Sequence, residues 1–401
     1  MIKHRENIYL GLLCLLILTL LTSYYSTVPI VLLVLFFLSD KKTTIKQKFI
    51  KAIKNPITLI LITYFLMHLI GFLCSGNNSY ALKEVTQRLS YVTIPIVIFG
   101  EYISGKRLKK ALRFFNLIII TVLFILVAYH YLFYQKTLSS FVYFGFKALD
   151  ISPFYYSVFI FAAMKINLIF KMKYWYIELV ILFLFLFLLG NRTSILFISI
   201  YMLYVFFRGV DLTFFKKSMV TLLLLVFGSV VLVFSNSFRQ KTNIFFKTIS
   251  FDIETIQTKN SITTTRNTLE HRILIWSLAK DMIKENPVFG VGTSNYKNML
   301  YQQYETINFK AAIKHRFNTH NQYIEEILKF GFIGGSVFLI MIIGLIKQTL
   351  GKEIVFPVLL LVLVLSFFES FWYRHHGVLI ISFVLPLLYV YNENKEDYSN
   401  N

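Results

Sequence analysis

The sequence predicts an all-α polytopic membrane protein of about 12 transmembrane helices, with one large helical loop outside the membrane. Three observations predict it. Hydrophobic residues make up 56% of the chain, and mean hydropathy is +0.64. Apolar runs long enough to cross about 30 Å of hydrocarbon recur along its length. The basic residues collect on alternate connections between those runs. The net charge of +21 is therefore read as topology signal and contact with lipid headgroups, and nucleic acid is excluded as a partner. Cys14 and Cys74 both lie inside apolar runs, so they form neither a disulfide framework nor a metal site.

In chain order the first run, 8–25, follows Lys3, His4 and Arg5 and lacks a small-residue cleavage site, so an uncleaved first span is expected. The run at 28–39 is short and suits half of a hairpin with the first. Spans follow at 56–74 and 86–100, the latter starting beside Lys83, Glu84 and Arg88. Further spans are expected at 112–134, 153–170, 174–190, 193–208 and 217–235, and the last three at 331–347, 354–371 and 376–391.

With the N-terminus in the cytoplasm, the inner connections hold Lys41–Lys54, Lys106–Arg113, Lys165–Lys173, Arg208–Lys217, Lys347, Lys352 and Lys395. The short outer ones hold only Lys83, Arg88, Lys136, Lys147, Arg192 and Arg374. Both termini are thus expected inside. Three parts follow: an N-terminal bundle, 1–234; an outer loop, 235–330; and the closing spans with a short tail, 331–401.

A loop of that length without its own structure would be unusual, and such loops commonly carry function. One helix is expected from Thr268 to Glu285, opened by Asn267 and Glu270 and striped by Ile275, Leu278, Ala279, Met282 and Ile283. Asn286-Pro287 stops it. A second is expected over Asn295–Tyr304 and a third over His320–Phe330, ended by Gly331. The stretch 236–266 reads as irregular.

The chemistry-bearing residues gather at the outer face. His320, placed at a helix N-terminus, would feel a macrodipole that disfavours the imidazolium, leaving a neutral base; a capping or headgroup-level histidine is the alternative. A helix from there to Gly331 spans about 16 Å, which holds the ring near the membrane–water boundary. Arg192 lies in the tight outer connection Gly190-Asn191-Arg192, where it opposes the positive-inside bias; it is either a phosphate ligand or a snorkelling side chain. Arg272 sits in the first turn of the loop helix, where a cation opposes the dipole. It faces an anion, pairs with Glu270, or meets solvent.

His315, Arg316 and Asn318 either line the site of His320 or lie in a solvated loop. Glu369, in an apolar run, calls for a partner, with Arg374 or a site arginine the candidates. His375 and His376 flank the same outer end. Gly290-Val291-Gly292 has no strand before it and is no dinucleotide fingerprint. Asp252 and Glu254 read as solvated, and His68 and His130 as packing or interfacial residues.

Two patterns together give a resemblance. Arg192-x3-Leu196 and His320-x10-Gly331 are similar to the paired motifs of the O-antigen ligase family. The run Arg272…Trp276…Ala279…Pro287-x2-Gly290-x-Gly292…His320-Asn321 resembles that family's outer loop, and Glu369…Gly377 its closing spans. The similarity covers about Arg192 to Gly377; the first half agrees in hydropathy alone.

The resemblance implies a GT-C-like glycosyltransferase architecture and a metal-independent, inverting transferase without cofactor. It implies a glycan on undecaprenyl diphosphate as donor, lipid A–core oligosaccharide as acceptor, and a site on the periplasmic face of the bacterial inner membrane. His320, Arg192 and Arg272 would be catalytic. Asn321, His315, Arg316, Glu369 and Arg374 would bind substrate. An O-antigen polymerase and a protein O-oligosaccharyltransferase are the neighbouring readings. A flippase is disfavoured, because the ionisable residues cluster at one face rather than at mid-span in two matching halves.

Overall fold

The computed structural model describes residues 2–22, 25–74, 79–133, 151–171, 173–209, 249–259 and 267–399. The expected span at 217–235 lies outside them, as do 236–248 and 260–266 of the stretch read as irregular. The regular structure among the described residues is helical, without strands. Five helices among them are long and apolar enough to cross a membrane: Pro56–Cys74, Gly105–Phe133, Pro153–Phe170, Gln322–Thr349 and His375–Asn394. The chain is a multi-pass helical membrane protein.

The helices of the N-terminal half are α1 (Ile2–Thr19), α2 (Thr27–Leu38), α3 (Lys42–Lys54), α4 (Pro56–Cys74), α5 (Ser79–Arg88), α6 (Ser90–Gly100), α7 (Gly105–Phe133), α8 (Pro153–Phe170), α9 (Trp175–Leu189) and α10 (Arg192–Gly209). The basic segment before α4, expected as a plain connection, forms the amphipathic helix α3. Its Lys48 is drawn to Asp40 at 2.7 Å and to Glu101 at 2.8 Å, while Phe49 and Ile50 stay exposed. The expected span 86–100 is broken at Leu89: Glu84 and Arg88 are wholly buried in an ionic cluster on α5, and the apolar part is α6 alone. Glu6–Arg107, Arg5–Glu101 and Lys352–Glu393 ion pairs gather the N-terminus, the α2–α3 and α6–α7 connections and the start and end of the closing segment at one end of the bundle.

The polar segment contributes α11 (Ile253–Thr258), α12 (Thr268–Glu285), α13 (Tyr296–Thr306) and α14 (Lys310–His315). Asp252, read as solvated, caps α11 by accepting from the Thr255 amide at 2.9 Å. Asn267 and Glu270 close a full capping box on α12. The buried stripe of α12 is Leu274, Ile275, Ala279 and Met282, with Leu278 and Ile283 at its margin. That stripe packs with Tyr296, Leu300, Tyr304 and Phe309 into a second small core, which Leu328 of α15 (Gln322–Thr349) completes.

The closing elements are α15, α16 (Val355–Leu365), α17 (His375–Leu379), a π turn at Ile380–Val384, and α18 (Leu385–Ser399). Two expectations change here. The helix to Gly331 and the span at 331–347 stack end to end as α15, interrupted only where Gly331 takes φ 64°. The span expected at 354–371 leaves its helix at Leu365, so Glu369 sits in an irregular connection.

Gly331 explains how a helix can break at that point. A Cβ on Gly331 would lie 2.2 Å from the Val288 carbonyl oxygen, and one on Gly290 would lie 2.5 Å from the Gly331 amide nitrogen. The two glycines let the backbones touch. Carbonyls orphaned by the break are recovered across the contact: Leu328 and Lys329 accept from the Val291 and Gly292 amides at 2.9 Å. In return Phe332 donates to the Pro287 carbonyl at 2.8 Å. The turn after α12 is thereby fixed to the middle of α15.

Candidate functional site

The site is built where the segment before α15 meets the connection after α16. Asn321 caps α15, accepting from the Ile324 amide at 3.0 Å. His320 therefore stands just outside the helix, not in it, with φ 47°. A left-handed conformation is uncommon for a non-glycine residue and persists only where surroundings enforce it. They do so here. The His320 amide donates to Asn318 Oδ1 at 3.1 Å, and Trp276 Nε1 donates to the Thr319 carbonyl at 2.9 Å.

The partner of the ring is Glu369. His320 Nδ1 lies 3.4 Å from Glu369 Oε2, at the long end of a hydrogen bond, and the imidazole side chain is 22% exposed. The nearest charge to the ring is thus a carboxylate rather than the helix macrodipole. Arg374 approaches the other oxygen of Glu369, Nε to Oε1, at 3.5 Å. Burial pushes the Glu369 carboxyl up, but His320, Arg374 and Arg272 outweigh it and hold the group below its ordinary range.

The connection bearing Glu369 has no regular structure, so its backbone needs outside partners. They come from several helices. The Gln322 amide donates to the Ser366 carbonyl at 2.8 Å, and Gln322 Oε1 accepts from the Trp372 amide at 2.8 Å. Tyr91 of α6 donates to the Trp372 carbonyl at 3.0 Å. Arg272 donates from Nη2 to the Phe368 carbonyl at 3.0 Å, its guanidinium 5.8 Å from the Phe368 ring centre. Glu270, weighed as a partner for Arg272, is taken up by Lys259 at 2.5 Å and by the Ser250 and Asn267 amides at 2.9 Å.

The remaining candidates fall around this pair. His315 stacks on Phe317 at 5.9 Å, and Phe317 meets His320 edge-on at 5.4 Å. Arg316 is exposed in a left-handed cap after α14, its carbonyl accepting from Tyr301 at 3.3 Å. Asn321 spends its side-chain oxygen on the cap. Arg192 is the exposed first residue of α10. The same end of α10 is held to α8 by Ser194 and Ser157, 2.6 Å apart, and Tyr155 of α8 packs on Phe371 at 4.8 Å. Arg192 thus belongs to the end of the bundle that carries the Glu369 connection.

Sequence reasoning missed the buried charge beneath the site. Lys329 lies 2.7 Å from Glu325 and 3.2 Å from Glu84, and Arg88 lies 3.2 Å from Glu84. Glu326 accepts from Tyr64 at 2.8 Å and from Gln322 at 2.5 Å, with His68 Nε2 3.4 Å away. Tyr373 was missed as well, although Lys297, Lys329 and Arg88 ring it at 4.7, 5.5 and 5.5 Å. Carboxylates at helical spacing with lysine on α15 were the available signal: Glu325 and Lys329 are i and i+4.

Residues 177–339, less than half the chain, match the family model described as O-Antigen ligase. The matched segment takes in Arg192, Arg272, His315, Arg316, His320, Asn321 and Gly331, and ends before Glu369 and Arg374. The resemblance drawn from the motifs is to the same family. A Rickettsia conorii protein named as a candidate polysaccharide ligase is 26% identical over 113 residues, 28% of either chain. An uncharacterized protein of Haemophilus influenzae is 28% identical over 130 residues, 32% of this chain and 31% of its own. Each match thus covers about a third or less of the relative. Together the matches support a ligase- or polymerase-type role.

Proposed function

Taking 177–339 as a segment of O-antigen-ligase type, we propose that the protein is an inverting glycosyltransferase of the bacterial inner membrane. It moves a glycan from undecaprenyl diphosphate to lipid A–core oligosaccharide at the periplasmic face. The observation that carries this reading is the His320–Glu369 pair, held among Arg272 and Arg374 at the mouth of a membrane bundle.

The chemistry follows from these groups. Glu369 engages Nδ1 and so fixes the imidazole tautomer and orientation, leaving Nε2 to meet the acceptor hydroxyl. As the acceptor oxygen attacks the anomeric carbon, its proton passes to His320. The anomeric carbon–oxygen bond to the diphosphate breaks on the opposite face, which inverts the configuration. The departing undecaprenyl diphosphate gathers negative charge, which Arg192 and Arg272 neutralise without a metal or other cofactor. His315, Arg316 and Arg374 offer donors along the same rim for glycan and phosphate oxygens, and Asn321 contributes by setting the helix beneath His320. The bilayer presents both lipid substrates in one plane, which favours encounter and orientation.

Two measurements test the reading. In the native host, deletion should leave lipid A–core bare while long glycan accumulates on the carrier lipid. Core bearing a single repeat unit would instead mean polymerisation, and unchanged lipopolysaccharide would redirect the search to glycosylated protein. With purified protein, His320→Ala should lose transfer by at least a thousandfold while still binding the lipid-linked donor; full activity in that variant would refute the assigned base.

A further inference from the structure

We propose that Glu325 is a positioning residue for the transfer reaction, a buried carboxylate that clamps the two segments carrying His320 and Glu369 into register. The inference rests on the function proposed above and adds a residue to it.

The geometry is specific. Glu325 is wholly buried on the first turn of α15. Its Oε2 accepts from the Ser370 hydroxyl and stands 3.3 Å from the Thr319 hydroxyl, which shares its proton with the Asn321 carbonyl at 2.9 Å. Thr319 directly precedes His320, and Ser370 directly follows Glu369. One carboxylate oxygen thus touches the chain neighbour of each member of the pair. The other oxygen, Oε1, faces away. It accepts from Lys329 Nζ at 2.7 Å and from Tyr296 at 3.1 Å. Lys329 in turn lies 3.2 Å from Glu84 on α5, and Tyr296 reaches Glu84 at 3.3 Å.

The buried ionic cluster therefore has a directed output. Its inner side ties α5, α13 and α15 together, and its outer side holds the two loops. A carboxylate can accept from four donors at once, and no neutral side chain of similar size can do so. Charge-assisted bonds are also the stiffer ones. His320, in its left-handed backbone, and Glu369, in a connection without regular structure, both sit where the chain alone would not define them. A shift of about 1 Å between catalytic groups lowers turnover by about a hundredfold. Glu325 fixes that separation without touching substrate.

The test compares Thr319→Val, Thr319→Ser, Ser370→Ala and Glu325→Gln in the full-length protein, assayed with lipid-linked glycan and lipid A–core. Thr319→Val keeps the shape and loses the hydroxyl; Thr319→Ser keeps the hydroxyl. The expected result is a kcat about tenfold lower in Thr319→Val and in Ser370→Ala at unchanged KM for the donor, with Thr319→Ser within about twofold of the parent. Glu325→Gln should lose about a hundredfold in kcat while melting as a folded protein. Parental kcat in both hydroxyl-deleted variants overturns the clamp. So does an equal loss in Thr319→Val and Thr319→Ser. His320→Ala, assayed alongside, separates the two ideas. If it is inactive while the clamp variants turn over normally, only the positioning role fails; if it is active, the proposed function fails.

Discussion

At the scale of single residues, the site depends on one contact between two segments far apart in sequence. Glu369 touches His320 across 49 residues and is itself approached by two arginines. Glu369→Gln should keep the shape of the contact and lose the charge, lowering kcat about tenfold to a hundredfold at similar donor KM. Steady-state kinetics on the purified variant check this. Arg272→Lys should do comparable damage despite keeping a positive charge, because an ammonium cannot hold the Phe368 carbonyl and a phosphate oxygen in one plane. A rise in donor KM beside a fall in kcat is the expected pattern.

The residue types were legible before the structure was: His320, Arg192 and Arg272 stood out because each occupied a costly place. Glu325, Glu326, Lys329 and Arg88 did not stand out. Charged residues near a span boundary read as its end, and burial of such groups depends on what α4, α5 and α15 do together. The i, i+4 spacing of Glu325 and Lys329 signals a pair, but no local pattern signals its burial. The position of His320 differs from the expected one by a single residue. The cap falls on Asn321, one residue later, and a single residue of offset exchanges a backbone dipole for a carboxylate.

Among the elements, α12 and α15 make separate predictions. The capping box of α12 contains Glu270, whose carboxyl burial pushes up and whose contacts with Lys259 and the Asn267 and Ser250 amides pull down further, so that it lies below the ordinary glutamate value. A depressed carboxylate contributes stability that is complete above the ordinary value and is lost as pH falls through the lowered one. The contribution of Glu270 to stability should therefore be constant through the neutral range and be lost only below about pH 4, read as the difference between parent and variant denaturation in detergent. Glu270→Gln should cost about 1–2 kcal/mol at neutral pH and flatten that acid limb.

Gly331→Ala confronts both a positive φ and the Val288 carbonyl. It should destabilise the docking of the outer segment by about 3 kcal/mol or more, seen as faster cleavage by added protease in the Pro287–Gly292 turn. Gly290→Ala acts on the same contact, so the double variant should cost less than the two single values added. The helix α12 was legible because capping and stripe agree, and α13 was legible within two residues although its first turn lacks a side-chain cap. The break in α15 was legible only as a stop: Gly331 marks an end, and that the helix resumes depends on Gly290 lying against it.

For the whole molecule, we propose an orientation from the arrangement of charge. The end that gathers Arg5, Lys48, Glu101 and Arg107 is the end the positive-inside rule places in the cytoplasm, and α12–α14 belong to the other. In a background lacking Cys14 and Cys74, Lys280→Cys should react with a membrane-impermeant maleimide in intact spheroplasts. Lys51→Cys should react only after lysis. The opposite pattern would reverse the orientation. Span number was the least legible feature. Helices such as α9, at 15 residues, reach about 22 Å, short of the hydrocarbon thickness. A hydropathy run and a regular helix of the same length are different quantities.

The ten residues between His320 and Gly331 are held at both ends, by the Asn321 cap and the Ser366 carbonyl at one and by the Gly290 contact at the other. That makes the interval a gauge block. One inserted residue would lift everything upstream by about 1.5 Å and swing it by about 100°, turning the imidazole from its carboxylate toward another face of the bundle. Substitutions inside the interval can be repaired by neighbours, but a change in its length has no neighbour to absorb it.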